Sequence, residues 1–146
     1  MKRRILVLCT GNSARSQMAE GLLRHLGGID LEVFSAGTAP GKVHPMAVTA
    51  MSEIGIDITA QWSKHLGIYL EDSFDDVLTV CDSAAESCPV FPGQARRTHW
   101  SLPDPAATEG DEMERLDSFR MVRRILERRL PKWLEGPGQE RDSSSA

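Results

Sequence analysis

A cysteine and an arginine separated by five residues, Cys9 and Arg15, have the spacing of an oxyanion-binding pair, and Ser16 follows directly. If they flank a turn that enters a helix, backbone N–H groups and the helix dipole favour an anion there. The pKa of a thiol in that place is expected at roughly 3.5–7.5 instead of about 8.5. Arg15 can bind two oxygens of a tetrahedral oxyanion, and the Ser16 hydroxyl is placed to donate to the thiolate.

This spacing predicts Cys9 as a nucleophile, with the turn as its anion site. The predicted substrate-binding loop consists of Thr10, Gly11, Asn12, Ser13, Ala14, Arg15 and Ser16. The alternative is a buried cysteine at the end of a strand, followed by a solvated arginine.

Two further cysteines, Cys81 and Cys88, are separated by six residues. In a helix they would lie about 10.5 Å apart, whereas the Cα atoms of a disulfide lie about 4.4–6.8 Å apart. A helical segment between them must therefore unwind or fold back before they can pair. Both cysteines could instead be incidental. The spacing is not usual for zinc, and we predict no metal site.

Asp104 lies between Pro103 and Pro105. Hydroxide or alkoxide leaves an oxyanion centre faster when it is protonated, so an acid held in a rigid loop suits that task. We predict Asp104 as the general acid. The alternative is a turn residue favoured by its own local hydrogen bonding.

The elements that would position these residues alternate between strand and helix. Strand patterns cover residues 4–9, 31–36, 77–81 and 97–100, and helix patterns cover 14–26, 45–54 and 111–130, the last closed by Pro131. This order predicts an α/β fold with a four-stranded parallel sheet flanked by helices. The turn after the first strand then lies at the carboxyl edge, where such sheets bind ligands. We predict one domain over residues 1–134 and a disordered tail over 135–146.

Composition narrows the classes of partner. The 146 residues are 40% hydrophobic and 26% charged, with a formal net charge of −4, so no basic surface for nucleic acid is indicated. No apolar run is long enough to suggest a membrane span, and the apolar run at residues 5–8 is too short for the hydrophobic region of a secretory signal peptide. An odd cysteine count favours reactive thiols in a reducing compartment. We expect a cytoplasmic monomer without nucleic acid or membrane partners.

Several stretches resemble the low-molecular-weight protein tyrosine phosphatases and the arsenate reductases built on the same fold. They are residues 9–21, 34–37 and 51–57, and the likeness extends to about Leu134. Residues 80–89 resemble the redox segment of the thioredoxin-coupled arsenate reductases, and residues 100–106 resemble the stretch that carries their general acid. Tyr69 is the only tyrosine, which departs from the tyrosine phosphatases.

The resemblance implies reduction of arsenate to arsenite by a three-cysteine relay. Cys9 attacks arsenate, Asp104 protonates the departing hydroxide, and Cys81 attacks Cys9 to release arsenite. Cys88 then forms a disulfide with Cys81, which thioredoxin reduces. No tightly bound cofactor is implied, and phosphate or sulfate should bind as analogues, with residual phosphatase activity. The alternatives are a phosphatase with incidental cysteines and a non-catalytic, redox-switched oxyanion sensor. A glutathione-linked reductant also remains open.

One position departs from relatives that bind a monovalent cation beside the loop. Their cation contacts residues matching Asn12, Glu20 and Ser35 plus a carboxylate, and the carboxylate position here is Lys64. We hypothesise that the Lys64 ammonium replaces the cation and pairs with Glu20.

Overall fold

Four parallel strands form one sheet in the computed structural model, which describes residues 2–145 and, of residues 137–145, only the backbone. The strands are β1 (Arg3–Cys9), β2 (Leu31–Gly37), β3 (Asp76–Thr79) and β4 (Arg96–His99). Their order across the sheet is β2-β1-β3-β4. The helices are α1 (Arg15–Gly27), α2 (Pro45–Ser52), α3 (Asp82–Glu86) and α4 (Glu112–Ser145). The predicted α/β architecture is confirmed.

β1 lies at the centre because its side chains are apolar on both faces. From Ile5 to Cys9 every residue is buried, as expected for a parallel strand covered by helices. β1 pairs with β2 on one side and β3 on the other, so the carboxyl ends of the three strands meet at one edge. The predicted site residues that follow β1 and β3 therefore come together.

At the opposite edge of the sheet, where the strands begin, a buried carboxylate connects three strands. Asp76 in β3 accepts hydrogen bonds from Arg3 at 2.6 Å and Arg96 at 2.8 Å, and its side chain is fully buried. The same two arginines donate to the backbone carbonyls of Leu134 and Trp133 in α4. These contacts join three strands to the last helix.

α4 extends beyond the predicted end, because Pro131 does not stop it. A proline inside a helix removes one hydrogen bond and disfavours the conformation. Here Leu130 and Trp133 on either side of it are buried in the core, and the Trp133 indole donates to Thr98 Oγ1 at 3.0 Å. The packing of Leu130 and Trp133 in the core therefore outweighs the tendency of Pro131 to end the helix. The predicted disordered tail includes residues 137–146, whose side chains lie outside the described residues, and it stays a prediction.

The bounds of the strands also differ from the prediction by one or two residues. β3 stops at Thr79, so Val80 and Cys81 follow the strand instead of ending it, and β4 is Arg96–His99, one residue earlier than expected. The short helix α3 then occupies much of the segment between Cys81 and Cys88. Among the described residues, no helix is both long and apolar enough to cross a membrane.

Candidate active site

The predicted loop connects β1 to α1, and its backbone is held by the segment that follows β2. The carbonyls of Thr10, Gly11 and Ser13 accept hydrogen bonds from backbone amides of that segment, at 2.9–3.1 Å. The loop is thus fixed in shape at the carboxyl edge of the sheet. A preformed loop at a helix N-terminus is the arrangement that suits an oxyanion.

Asn12 organises the loop from inside the protein. It has a positive φ of 48°, which asparagine tolerates better than most residues, and its side chain is completely buried. Its Nδ2 donates to Ser16 Oγ at 2.8 Å and to Ser35 Oγ at 2.9 Å, while its Oδ1 accepts from the Lys64 amide at 2.9 Å. Ser16 is therefore part of the loop's support, and its predicted donation to Cys9 stays a prediction.

Cys9 and Cys81 lie side by side because β1 and β3 are neighbours. Cys9 is the last residue of β1, and Cys81 comes two residues after the end of β3. Both side chains are buried. The two thiols share a hydrogen bond, and the Thr10 hydroxyl lies 3.2 Å from the Cys81 sulfur. A pair of thiols in contact is the geometry that disulfide formation requires.

The hydrogen bond between the two thiols favours the ionised form of Cys81. A hydrogen bond from the Cys9 thiol lowers the pKa of Cys81 to about 5, with further lowering from the Thr10 hydroxyl, the Ala84 amide and Arg15. Donating to Cys81, together with burial, raises the pKa of Cys9 above its ordinary value. In this arrangement the thiol with the lowered pKa is Cys81, and the low pKa of Cys9 in an anion-bound loop stays a prediction.

Arg15 links the loop to the segment that carries the predicted acid. Its Nη1 donates to the Leu102 carbonyl at 3.1 Å, two residues before Asp104. The Asp104 carboxylate accepts from the Ala106 amide at 3.0 Å and begins a short helical turn, Pro105–Ala107. Asp104 thus has the local turn bond of the alternative interpretation and also lies in a segment tied to Arg15. Its role as an acid stays a prediction.

Cys88 lies apart from the first two thiols, beyond the far end of α3. It is half-buried, and the Arg97 guanidinium donates to its sulfur at 2.9 Å. At the near end of α3, Asp82 contacts His99 at 2.8 Å. Sequence reasoning did not select Arg97 or His99. Their positions two apart on a strand, beside a segment with two cysteines, were the available signal.

Behind the loop, Lys64 and Glu20 form a buried ion pair. The distance from Lys64 Nζ to Glu20 Oε1 is 3.9 Å, and the two side chains are 6% and 4% exposed. Glu20 also accepts from Ser35 and Arg24, and Lys64 Nζ donates to the Trp62 carbonyl. Burial lowers the pKa of Lys64. The ammonium is therefore close to the carboxylate, as the cation-replacement hypothesis requires. Within residues 2–136, no cluster of histidine, cysteine and carboxylate side chains could hold a metal ion.

Known proteins are similar to this chain in sequence and in fold. The sequence pattern described as low molecular weight phosphotyrosine protein phosphatase matches residues 4–143. An arsenate reductase of Shouchella clausii is 45% identical over 134 residues, which cover 92% of this chain and 96% of the relative.

Solved structures of arsenate reductases are also similar to this chain. An arsenate reductase in the oxidized state is 33% identical with a TM-score of 0.78, over 94% of this chain and 99% of that one. A thioredoxin-dependent arsenate reductase of Corynebacterium glutamicum is 30% identical with a TM-score of 0.62, over 87% of this chain and 61% of that one.

Proposed function

Because the chain belongs to the low molecular weight phosphotyrosine protein phosphatase family, and because its relatives include arsenate reductases at 45% identity, we propose that it reduces arsenate to arsenite. The observation that carries this proposal is the contact between Cys9 and Cys81. Hydrolysis of a phosphoenzyme needs only one cysteine and water. A second buried thiol beside the first, itself activated, instead favours a reaction that ends in a disulfide.

The loop amides and Arg15 bind arsenate, and Cys9 attacks the arsenic atom. The hydrogen bond from the Cys9 thiol to the Cys81 thiolate gives the Cys9 proton an acceptor as the sulfur–arsenic bond forms. Asp104 protonates the departing hydroxide, which lowers the barrier to its loss. Arg15 neutralises charge on the oxyanion through a fork of two donors.

Cys81 then attacks the sulfur of Cys9. The electron pair of the sulfur–arsenic bond passes to arsenic, which leaves as arsenite, and a Cys9–Cys81 disulfide remains. Cys81 first gives up the proton that it took from Cys9, and the Thr10 hydroxyl, the Ala84 amide and Arg15 help it to do so because they lower its pKa. Cys88 next attacks Cys81, forms the Cys81–Cys88 disulfide and releases Cys9 as a thiolate.

A dithiol protein of the thioredoxin type reduces the last disulfide, and no tightly bound cofactor takes part. The name of the Corynebacterium glutamicum neighbour, a thioredoxin-dependent arsenate reductase, supports this choice of reductant. We also propose that the protein acts as a monomer in the cytoplasm, where such a reductant is available. Phosphate and sulfate should compete with arsenate for the loop, and slow hydrolysis of aryl phosphates should accompany the main reaction.

The test measures arsenate-dependent NADPH oxidation with thioredoxin and thioredoxin reductase. Wild type should turn over, whereas Cys81→Ser and Cys88→Ser should not. A parallel assay replaces thioredoxin by glutathione and glutaredoxin. Aryl phosphate hydrolysis serves as the control, since it uses Cys9 as the nucleophile but forms no disulfide with the other cysteines.

Each outcome separates the candidates. Arsenate turnover lost in both variants, with aryl phosphate cleavage retained, supports the relay. Efficient aryl phosphate cleavage without arsenate reduction in all three proteins would make the chain a phosphatase. Binding of arsenate with no turnover of either substrate would leave the redox-switched oxyanion sensor.

A further inference from the structure

The segment between Cys81 and Cys88 is attached to β4 at both of its ends. We propose that Arg97 and His99 are positioning residues that clamp α3 in the dithiol state, and that they thereby set how easily the Cys81–Cys88 disulfide is reduced. This inference rests on the proposed function, because it concerns the last disulfide of the relay.

The clamp at the far end holds Cys88 and the residue after it. Arg97 Nη1 donates to the Cys88 sulfur at 2.9 Å, and Nη2 donates to the Pro89 carbonyl at 2.7 Å. A guanidinium presents its donors in a fixed planar fork, so two such contacts fix both the sulfur and the backbone beside it. Arg97 therefore holds this end of the segment to the sheet.

The clamp at the near end holds the first residue of α3. His99 Nε2 lies 2.8 Å from the Asp82 carboxylate, and its Nδ1 lies 2.8 Å from the Thr79 hydroxyl. A neutral ring that donates to Asp82 accepts from Thr79 at its other nitrogen. The hydrogen bond with His99 lowers the pKa of Asp82. The ring is thus fastened to β3 on one side and to α3 on the other.

The alternation of β4 places both clamps on one face of the strand. Arg97 and His99 are two residues apart and more exposed than Arg96 and Thr98, and successive strand residues point to opposite faces. Thr98 contacts Trp133 of α4. Hence α4 lies against one face of β4, and α3 is held against the other.

Apolar packing holds α3 only weakly. The helix has five residues, of which Ala84 alone is buried, and a cavity of about 170 Å³ lies between the segment and β4. A helix this short is not stable by itself. The polar contacts at its two ends are therefore a large part of what keeps it folded.

Formation of the disulfide is incompatible with these contacts. The segment must leave its helical shape so that the two sulfurs can meet. The five residues of α3 lie between the two cysteines and span about 7.5 Å, whereas the Cα atoms of a disulfide lie about 4.4–6.8 Å apart. When Cys88 attacks the Cys9–Cys81 disulfide, the Cys81–Cys88 bond forms, the Cys9–Cys81 bond breaks, and Cys9 leaves as a thiolate. The Cys88 sulfur then becomes a neutral disulfide sulfur, which is a poor partner for a guanidinium. The clamp therefore stabilises the dithiol form selectively.

The test uses the full chain with Cys9→Ser, so that Cys81 and Cys88 are its two remaining cysteines. Redox buffers of reduced and oxidised glutathione are equilibrated with the protein, and the dithiol and disulfide are counted by alkylation and mass. Arg97→Met and His99→Ala are compared with the parent. Arg128→Met is the matched control, because Arg128 is exposed on α4 and its replacement removes the same charge.

We expect each of Arg97→Met and His99→Ala to shift the dithiol–disulfide equilibrium about tenfold towards the disulfide, which is the effect of one or two lost hydrogen bonds. This shift lowers the reduction potential by about 30 mV. Arg97→Lys should lie between Arg97→Met and the parent, because a lysine keeps the charge without the fork. The Arg128→Met potential should equal that of the parent. Circular dichroism of each reduced protein checks that it is folded.

Two results would overturn the clamp. One is a folded Arg97→Met protein whose potential equals that of the parent, even if its disulfide forms more slowly. The other is an equal shift in Arg128→Met, which would trace the effect to net charge. Since no arsenate is present, neither result depends on whether the chain reduces arsenate.

Discussion

Replacing Cys9 by alanine should make Cys81 harder to ionise. The Cys81 pKa is lowered from 9.0 to about 5, and four contributions lower it against burial, the largest being the hydrogen bond from Cys9. A hydrogen bond to a charged group contributes about 1.5–3 kcal/mol, which is roughly one to two pKa units. One unit corresponds to about 1.4 kcal/mol. Cys9→Ala should therefore raise the Cys81 pKa above about 6.

The assay follows alkylation of Cys81 by iodoacetamide as a function of pH. A Cys88→Ser background leaves Cys81 as the only thiol in Cys9→Ala. At pH 6 the ionised fraction of Cys81 should fall from about nine-tenths to about one-half or less, by the titration of a single group. Peptide mass spectrometry assigns the modified residue in the parent, which retains Cys9.

Two matched variants show whether the donor is responsible. Cys9→Ser keeps an O–H group at the same place and should keep the midpoint lower than Cys9→Ala does. Thr10→Val removes the second hydroxyl donor and should shift the midpoint by less than Cys9→Ala. A midpoint that remains at about 5 in Cys9→Ala would refute the assignment of the charge, since the Cys81 thiolate would not need the Cys9 thiol.

Three further predictions concern the scaffold. Asp76→Asn removes the buried carboxylate shared by two half-buried arginines, so urea unfolding should show a loss of about 3–5 kcal/mol, and a loss below about 1 kcal/mol would contradict the importance of this three-residue cluster. Hydrogen bonds from Arg120 and Arg123 hold the pKa of Glu53 at about 2, against 4.5 ordinarily. The ionised carboxylate therefore stabilises the fold fully above pH 4.5, and this stabilisation is lost as the pH falls through 2. The unfolding free energies of wild type and Glu53→Gln should differ by about 1 kcal/mol at pH 6, since solvent screens these pairs, and should converge towards pH 2; a constant difference would exclude this origin. Finally, arsenate turnover should be equal in potassium and sodium chloride because the Lys64 ammonium lies beside Glu20, and marked stimulation by potassium would disprove that role.

The parts of the site that were predicted correctly are those with a local signal. Cys9 and Arg15 have a fixed spacing across a strand–turn–helix pattern, and that pattern determines where the loop lies. Cys81 could be placed beside Cys9 because parallel strands end at one edge of the sheet. The periodicity of the sequence and the topology of a parallel sheet were sufficient to predict where these residues lie in the fold.

The parts that were not predicted depend on contacts between distant segments. The pKa of Cys81 is lowered by hydrogen bonds from Cys9 and Thr10, about seventy residues away, and no local pattern reports such bonds. Pro131 indicated a helix end, but burial of Trp133 and the arginines that bind carbonyls in α4 outweigh it. Local propensity is a weak guide where tertiary packing decides.

The helix α3 contributes only Ala84 to the apolar core, and this has a consequence for engineering the protein. Enzymes made more stable often lose activity when the substitutions stiffen a part that must move. Here the moving part has one buried residue, Ala84, whereas the apolar core is built from the central strands and the long helices. Substitutions that fill or tighten that core should raise the melting temperature without slowing the cycle. Selection for thermal resistance and selection for turnover can thus act on separate sets of residues.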